Sequence, residues 1–170
     1  MRDPMENIVA QRDQLRPLLR MVIEIAEPGY SRVTMPLWDG IRNGMGVAHG
    51  GAIFSLADIA FGAAANAGSD ARVVSLSTNI DFLRPGRVGP LTAEAREVRR
   101  GSRVANYDVR VFDGEGALIA RTTASGFIIP SAGENPGGRP GSPHSENDQG
   151  GQPQKDEKSG PVGDGGEENA

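Results

Sequence analysis

The pattern of apolar and polar positions runs to about residue 130 and then stops. Residues 4–18 mix Met5, Ile8, Val9, Leu15, Leu18 and Leu19 with charges at roughly helical spacing. Pro4 suits a first helical turn, so a short N-terminal helix is expected, with Pro17 near its end. Residues 20–26 are rich in β-branched side chains, Pro28-Gly29 signals a turn, and residues 30–37 alternate again, which predicts a β-hairpin. After Trp38-Asp39-Gly40 and a glycine-rich turn, residues 51–67 are mostly Ala, Ile, Leu and Phe. This run is too long for a usual strand, and apart from its glycines it is built of helix formers, so it reads as the one long helix of the domain. Asp58 is its only charge, which predicts burial on most sides. Four further segments follow, at 72–83, 91–99, 103–112 and 117–129, with turn signals between them. In the third, Ala105, Tyr107, Val109 and Val111 alternate with Asn106, Asp108 and Arg110, the period of a strand with one wet face. Asp113-Gly114 is a strong hairpin signal. The expected domain is α+β: a hairpin, a buried helix, then four strands in meander, with about six antiparallel strands curled around the helix.

From residue 131 onward there is no aromatic side chain and no Ile, Leu or Met, while Gly, Pro, Ser, Gln and acids dominate. Such a segment buries too little apolar surface to offset its ordering entropy, so disorder is expected there. The chain then divides into an N-terminal extension (1–17), a domain (18–130) and an acidic tail (131–170). A chain of 170 residues with 37% hydrophobic content suits one such domain. The tail carries eight acids against Arg139, Lys155 and Lys158, a net charge of −5, whereas residues 1–130 have a net charge of +1. Cutting the chain after Pro130 is expected to leave any chemistry intact.

Charge and composition exclude several function classes. A near-neutral domain lacks the basic face that general nucleic-acid binding needs. All fifteen of its basic residues are arginine, however, which keeps a small phosphate-bearing ligand open. Cysteine is absent, so disulfides, thiolate metal sites and a cysteine nucleophile are excluded. The N-terminus has acids at Asp3 and Glu6 and no uninterrupted apolar run, unlike a secretory signal, and no stretch approaches the roughly 20 apolar residues of a membrane span. A cytoplasmic protein is expected, with no metal and no cofactor.

Three positions could carry chemistry. Asp58 stands among Phe54, Phe61 and Gly62, where a carboxylate loses solvation unless it is hydrogen-bonded or opens on a cleft. His49-Gly50-Gly51 at a helix start offers backbone N–H groups at the positive end of the dipole, a site for polarising a carbonyl, although a glycine pair also makes a plain tight turn. Asn43 lies in Asn-Gly, which is turn chemistry first. Gly50 and Asp58 are separated by about 12 Å along one helix at roughly 1.5 Å per residue. Groups acting on one carbonyl must each lie about 3 Å from it, so one helix cannot easily serve both ends of one substrate. Two antiparallel copies in a symmetric dimer would do so twice.

The register Asn43…His49-Gly50-Gly51…Phe54…Asp58…Phe61 resembles the signature of the hotdog-fold thioesterases of the phenylacetate-degradation (PaaI-like) type. Asn79-Ile80-Asp81-Phe82-Leu83-Arg84-Pro85 and Gly101-Ser102-Arg103 are similar to its later landmarks, and the likeness spans about residues 18–129. The resemblance implies acyl-coenzyme A thioester hydrolysis. Asp58 would activate water or attack the thioester, the Gly50 N–H would polarise the carbonyl, and Asn43 and His49 would orient the reacting groups. Ser75 occupies a position where some relatives carry a supporting hydroxyl. The resemblance also implies homodimers with shared sites, often paired into tetramers. Gly51, Phe54 and Phe61 are candidates to meet the substrate, and Arg84, Arg99, Arg100 and Arg103 to meet coenzyme A phosphates, though each arginine alone also suits a solvated salt bridge. Competing readings are an acyl-CoA-binding sensor without turnover and, with only His49 and His144 to offer, an enoyl-thioester hydratase. Aromatic, medium-chain and long-chain acyl groups all suit the apolar lining.

Overall fold

A computed structural model describes residues 13–68 and 72–130. The extension before residue 13 and the tail after residue 130 lie outside the described residues, as do most of the expected N-terminal helix and the expected disorder. What is described of that helix is one turn, α1 (Leu15–Leu18). The hairpin strands are β1 (Val22–Glu27) and β2 (Tyr30–Met35). A short turn of 3-10 helix (Asp39–Ile41) leads to the long helix α2 (Gly50–Asn66). Four strands complete the domain: β3 (Arg72–Phe82), β4 (Leu91–Arg100), β5 (Val104–Phe112) and β6 (Leu118–Ile129).

All six strands form one antiparallel sheet in the order β1-β2-β4-β5-β6-β3. The expected four-strand meander is corrected here, because only β4, β5 and β6 follow one another. β3 pairs with β6 and lies at the far edge. Residues 83–90, with two prolines and two glycines, are too long and broken for a tight hairpin. They cross the end of the sheet, where Leu83 and Arg84 donate to the Ile119 carbonyl and Gly114 donates to Val88, and reach β4 beside β2.

The helix lies against the sheet on small residues. Ala57, Ala60, Ala64 and Ala65 are buried on α2, facing a core that includes Ala93, Ala95, Ala105 and Ala120 from the strands. Alanine on both sides brings helix and sheet close, and Leu56, Phe61 and Tyr107 fill the remaining space, with the last two rings edge to face at 5.1 Å. Gly126 on β6 makes room for this packing. A Cβ there would stand 2.8 Å from the Phe61 ring and closer still to Val73. Gly126→Ala should cost about 1–3 kcal/mol, read from urea denaturation.

Polar side chains fix the helix at its C-terminal end. Asn66 donates to the carbonyls of Gly62 and Val73 and accepts from the Val73 N–H at 2.8 Å, clasping the start of β3. Arg100 donates to the Ala65 carbonyl, to the Tyr107 hydroxyl and, at 2.8 Å, to Glu97, and Tyr107 in turn donates to Glu97. Burial pushes the Tyr107 hydroxyl up to about 12, helped by its bond to Glu97. Burial also acts to raise Glu97, but the bonds from Tyr107 and Arg100 outweigh it and hold that carboxyl below the usual range. The proton on Tyr107 is therefore held more tightly in the folded chain than in the unfolded one. Its stabilising effect should be complete below the ordinary tyrosine value near pH 10 and vanish as pH rises toward 12. Urea midpoints of wild type and Tyr107→Phe should accordingly converge as pH rises from about 10 to about 12. Among the described residues, no helix is long and apolar enough to cross a membrane.

Candidate active site

The loop before α2 is built by its own polar groups. The Asn43 side-chain oxygen accepts from Met45 at 2.9 Å and more weakly from Val47, while the Asn43 backbone bonds to Val47 and Gly46. The Asn-Gly turn expected from sequence is thus present. Ala48 donates to Gly86 and His49 to Ile41, which ties the loop to the 83–90 connection.

His49 is the N-cap of α2. Its Nδ1 accepts from the Gly51 N–H at 2.9 Å, so the proton of the neutral ring sits on Nε2, on an exposed side chain. Of the two glycine N–H groups expected to be open, that of Gly51 is consumed by this cap. The Gly50 N–H has no acceptor among the described residues. The Phe82 ring lies over Gly50, where a Cβ would come 3.3 Å from its edge. Sequence reasoning treated Phe82 only as part of a motif, because its approach to Gly50 depends on where β3 ends.

Asp58 lies two turns further along α2 and is half-buried. Its Oδ1 accepts from the Ser75 hydroxyl of β3 at 3.1 Å. The pair opens on a cavity of about 250 Å3 lined otherwise mainly by apolar and small residues, among them Ile59, Phe61, Gly62 and Val74. A carboxylate held through one oxygen at the wall of a mainly apolar cavity can serve in proton transfer or in attack on a bound group. Asp13, just before α1, and Arg16, within it, line the same cavity. Sequence gave no signal for them, since their separation from Asp58 is bridged only by the fold.

The predicted residues thus fall into two groups. Asn43, His49, Gly50 and Gly51 gather at the helix start; Asp58, Ser75 and Phe61 meet at the cavity. Phe54 is exposed and does not line the cavity. Arg84, Arg99 and Arg103 are exposed, whereas Arg100 is engaged at the end of α2. Among the described residues no cluster of His, Asp or Glu is arranged to hold a metal ion.

Residues 45–120 match the family model of the thioesterase superfamily. Acyl-coenzyme A thioesterase PaaI of Escherichia coli is 37% identical over 111 residues, which cover 65% of this chain and 79% of that protein. The chain belongs to the hotdog-fold thioesterases, in the PaaI-like family. The solved E. coli PaaI structure superposes on this thioesterase with a TM-score of 0.70, covering 75% of this chain and 94% of PaaI at 31% identity. A variant of the phenylacetic acid degradation protein PaaI from Thermus thermophilus superposes with a TM-score of 0.63 at 34% identity, covering 68% and 98% of the two chains. A Streptococcus mutans protein solved with acetyl-CoA bound does so at 0.61 and 28% identity, covering 65% and 90%. The six strands and the one long helix among the described residues of this enzyme are those of the hotdog fold.

Proposed function

We propose that this thioesterase hydrolyses the thioester of an acyl-coenzyme A to the free acid and coenzyme A, with Asp58 as its catalytic carboxylate. The observation that carries the reading is the Asp58–Ser75 pair opening on an apolar cavity in a thioesterase fold. The names of two relatives support the substrate class, one an acyl-coenzyme A thioesterase and one solved with acetyl-CoA. Asp58 either takes a proton from the attacking water or attacks the acyl carbon itself. In the first route the water oxygen bonds to the acyl carbon as the C–S bond breaks; in the second Asp58 displaces the thiolate to form a mixed anhydride, which water then cleaves to the free acid and the regenerated carboxylate, and in both the thiolate leaves to be protonated. Ser75 holds one carboxylate oxygen, which leaves the other for this work. The Gly50 N–H, at the positive end of α2, polarises the carbonyl oxygen, and Asn43 and His49 orient the reacting groups.

Eight residues of helix, about 12 Å at roughly 1.5 Å per residue, separate Gly50 from Asp58. Both therefore act on one carbonyl only if two chains share the site. Support for this comes from β3, an eleven-residue edge strand whose outer side is unpaired among the described residues and which carries Leu76 at 60% exposure beside exposed Val74 and Phe82. Such an edge invites an antiparallel second copy. The proposed assembly is a homodimer with two shared sites, itself able to pair into a tetramer. Arg84, Arg99 and Arg103 are exposed and free to meet coenzyme A phosphates. The test is thiol release from a panel of aromatic, medium-chain and long-chain acyl-CoAs. Binding without turnover across the whole panel would instead favour an acyl-CoA sensor.

A further inference from the structure

The start of α2 is walled by a ring that the chemistry above leaves without a role. Phe82 stands opposite Ala120 of β6, which is buried, so its side chain leaves the sheet on the side of the helix. A Cβ built on Gly50 would lie 3.3 Å from the Cζ of this ring, 3.5 Å from Cε1 and 3.8 Å from Cε2, so the ring points at Gly50 with its tip. At a helix start the Cα–Cβ direction and the first N–H groups both lean out of that end. The tip therefore stands on the side to which the Gly50 N–H opens, and that N–H has no acceptor among the described residues. Backbone bonds fix the seat of the ring. Leu83 and Arg84, directly after Phe82, donate to the Ile119 carbonyl at 2.8 and 3.2 Å, and Ala48, directly before His49, donates to Gly86 at 2.9 Å. At 54% exposure the ring also borders the open space in front of the donor.

We propose that Phe82 is a positioning residue, which holds a thioester carbonyl on the Gly50 N–H by walling the approach to that donor and keeping water off it. The inference rests on the hydrolase reading for the identity of the carbonyl. A hydrogen bond to an oxygen that gains negative charge is worth more where water is excluded, because the local dielectric is lower. A ring edge carries the positive part of the aromatic quadrupole, so the tip of Phe82 suits a developing oxyanion where its face would repel one. The same contact accounts for the glycine at position 50. Gly50 does not lie in the left-handed region, so its missing side chain serves the close approach of the ring rather than the turn of the backbone. Phe82 comes from the same chain as Gly50, so each of two shared sites keeps its own ring.

The experiment pairs thiol release from an acyl-CoA with the infrared band of its carbon-linked analogue, in which CH2 replaces sulfur, so that an isotope-labelled carbonyl is kept and cannot be hydrolysed. Bound to wild type, that carbonyl band should lie below its frequency in water, the mark of a polarised C=O. In Phe82→Ala the band should return most of the way toward its value in water and kcat should fall by about tenfold or more, while the affinity for the analogue changes far less. Phe82→Leu, which keeps apolar cover without a ring, should fall between the two. Gly50→Ala keeps the N–H and presses a methyl on the ring tip; it should move band and kcat in the same direction in wild type and leave both unchanged in Phe82→Ala. Circular dichroism checks that each variant folds, and if Phe82→Ala does not, Phe82→Leu and Gly50→Ala decide. A band unmoved by loss of the ring, whatever happens to kcat, overturns the inference and leaves the hydrolase reading standing where thiol release is seen. A band that depends on Phe82 in a protein that releases no thiol from any acyl-CoA overturns the hydrolase reading and supports this one.

Discussion

Asp58→Asn is expected to lower thiol release from acyl-CoA by about a thousandfold, within the range that a positioned acid or base supplies. The substitution keeps the shape of the side chain and an oxygen able to accept from the Ser75 hydroxyl, which stands 3.1 Å from Asp58 Oδ1. It removes the negative charge that, in the proposed mechanism, draws a proton from water or attacks the acyl carbon. The same change should leave thermal stability unaltered or raise it, because a half-buried carboxylate on an apolar helix costs solvation that a neutral amide costs less of. Loss of activity with no loss of stability separates a working group from a structural one. Ser75→Ala should reduce turnover by less, since Asp58 keeps its charge and loses only one contact. Full activity in Asp58→Asn, measured by free thiol against time, would remove the carboxylate from the mechanism.

Gly50→Pro is the second substitution of large expected effect. Proline at the first position of α2 deletes the N–H, while His49 before it, at φ −66° and ψ 134°, already has the extended conformation that a following proline demands. The nearest atoms that a Cβ at Gly50 would meet are those of the exposed Phe82 ring, 3.3 Å away at its edge, which can shift. The helix should therefore form, and kcat should fall by about a hundredfold or more, the usual effect of removing one oxyanion donor. Mixing this variant with Asp58→Asn then tests how the site is shared. If Asp58 of one chain works with Gly50 of the other, each mixed dimer holds one intact site, and random reassociation restores roughly a quarter of wild-type activity. If both groups act within one chain, mixing restores nothing. Size-exclusion chromatography before and after mild denaturation and refolding would confirm that chains had exchanged.

Much of the architecture was legible in the linear pattern because it depends on local periodicity. The apolar run opening at Gly51 needed only its length and its lack of charge to read as a buried helix, and α2 spans Gly50–Asn66. The alternation at Ala105, Tyr107, Val109 and Val111 likewise placed those four side chains inward, where all are buried. The placement of β3 was not legible. Residues 72–82 carry the same strand signal whether they pair with the next strand or the last, and hydrogen bonds from the 83–90 connection to Ile119 and from Gly114 to Val88 send the chain across the sheet.

By itself the sequence determined that one uncharged helix would carry one carboxylate, with a histidine and two glycines at its start, because spacing along a helix is fixed by 3.6 residues per turn. It also set the spacing of Gly50 and Asp58, eight residues or about 12 Å along the helix, on which the proposal of a site shared between two chains rests. Only the tertiary structure decided what each group touches: Ser75 against Asp58, Phe82 over Gly50, Arg100 on the Ala65 carbonyl, and Arg16 in the cavity that Asp58 faces. Those contacts join residues far apart in the chain, through a sheet order that no local pattern encodes. Arginine shows this most plainly, for Arg100 and Arg16 are the same residue type in sequence, yet the fold binds one to a helix end and buries the Nε of the other without a hydrogen-bond partner among the described residues.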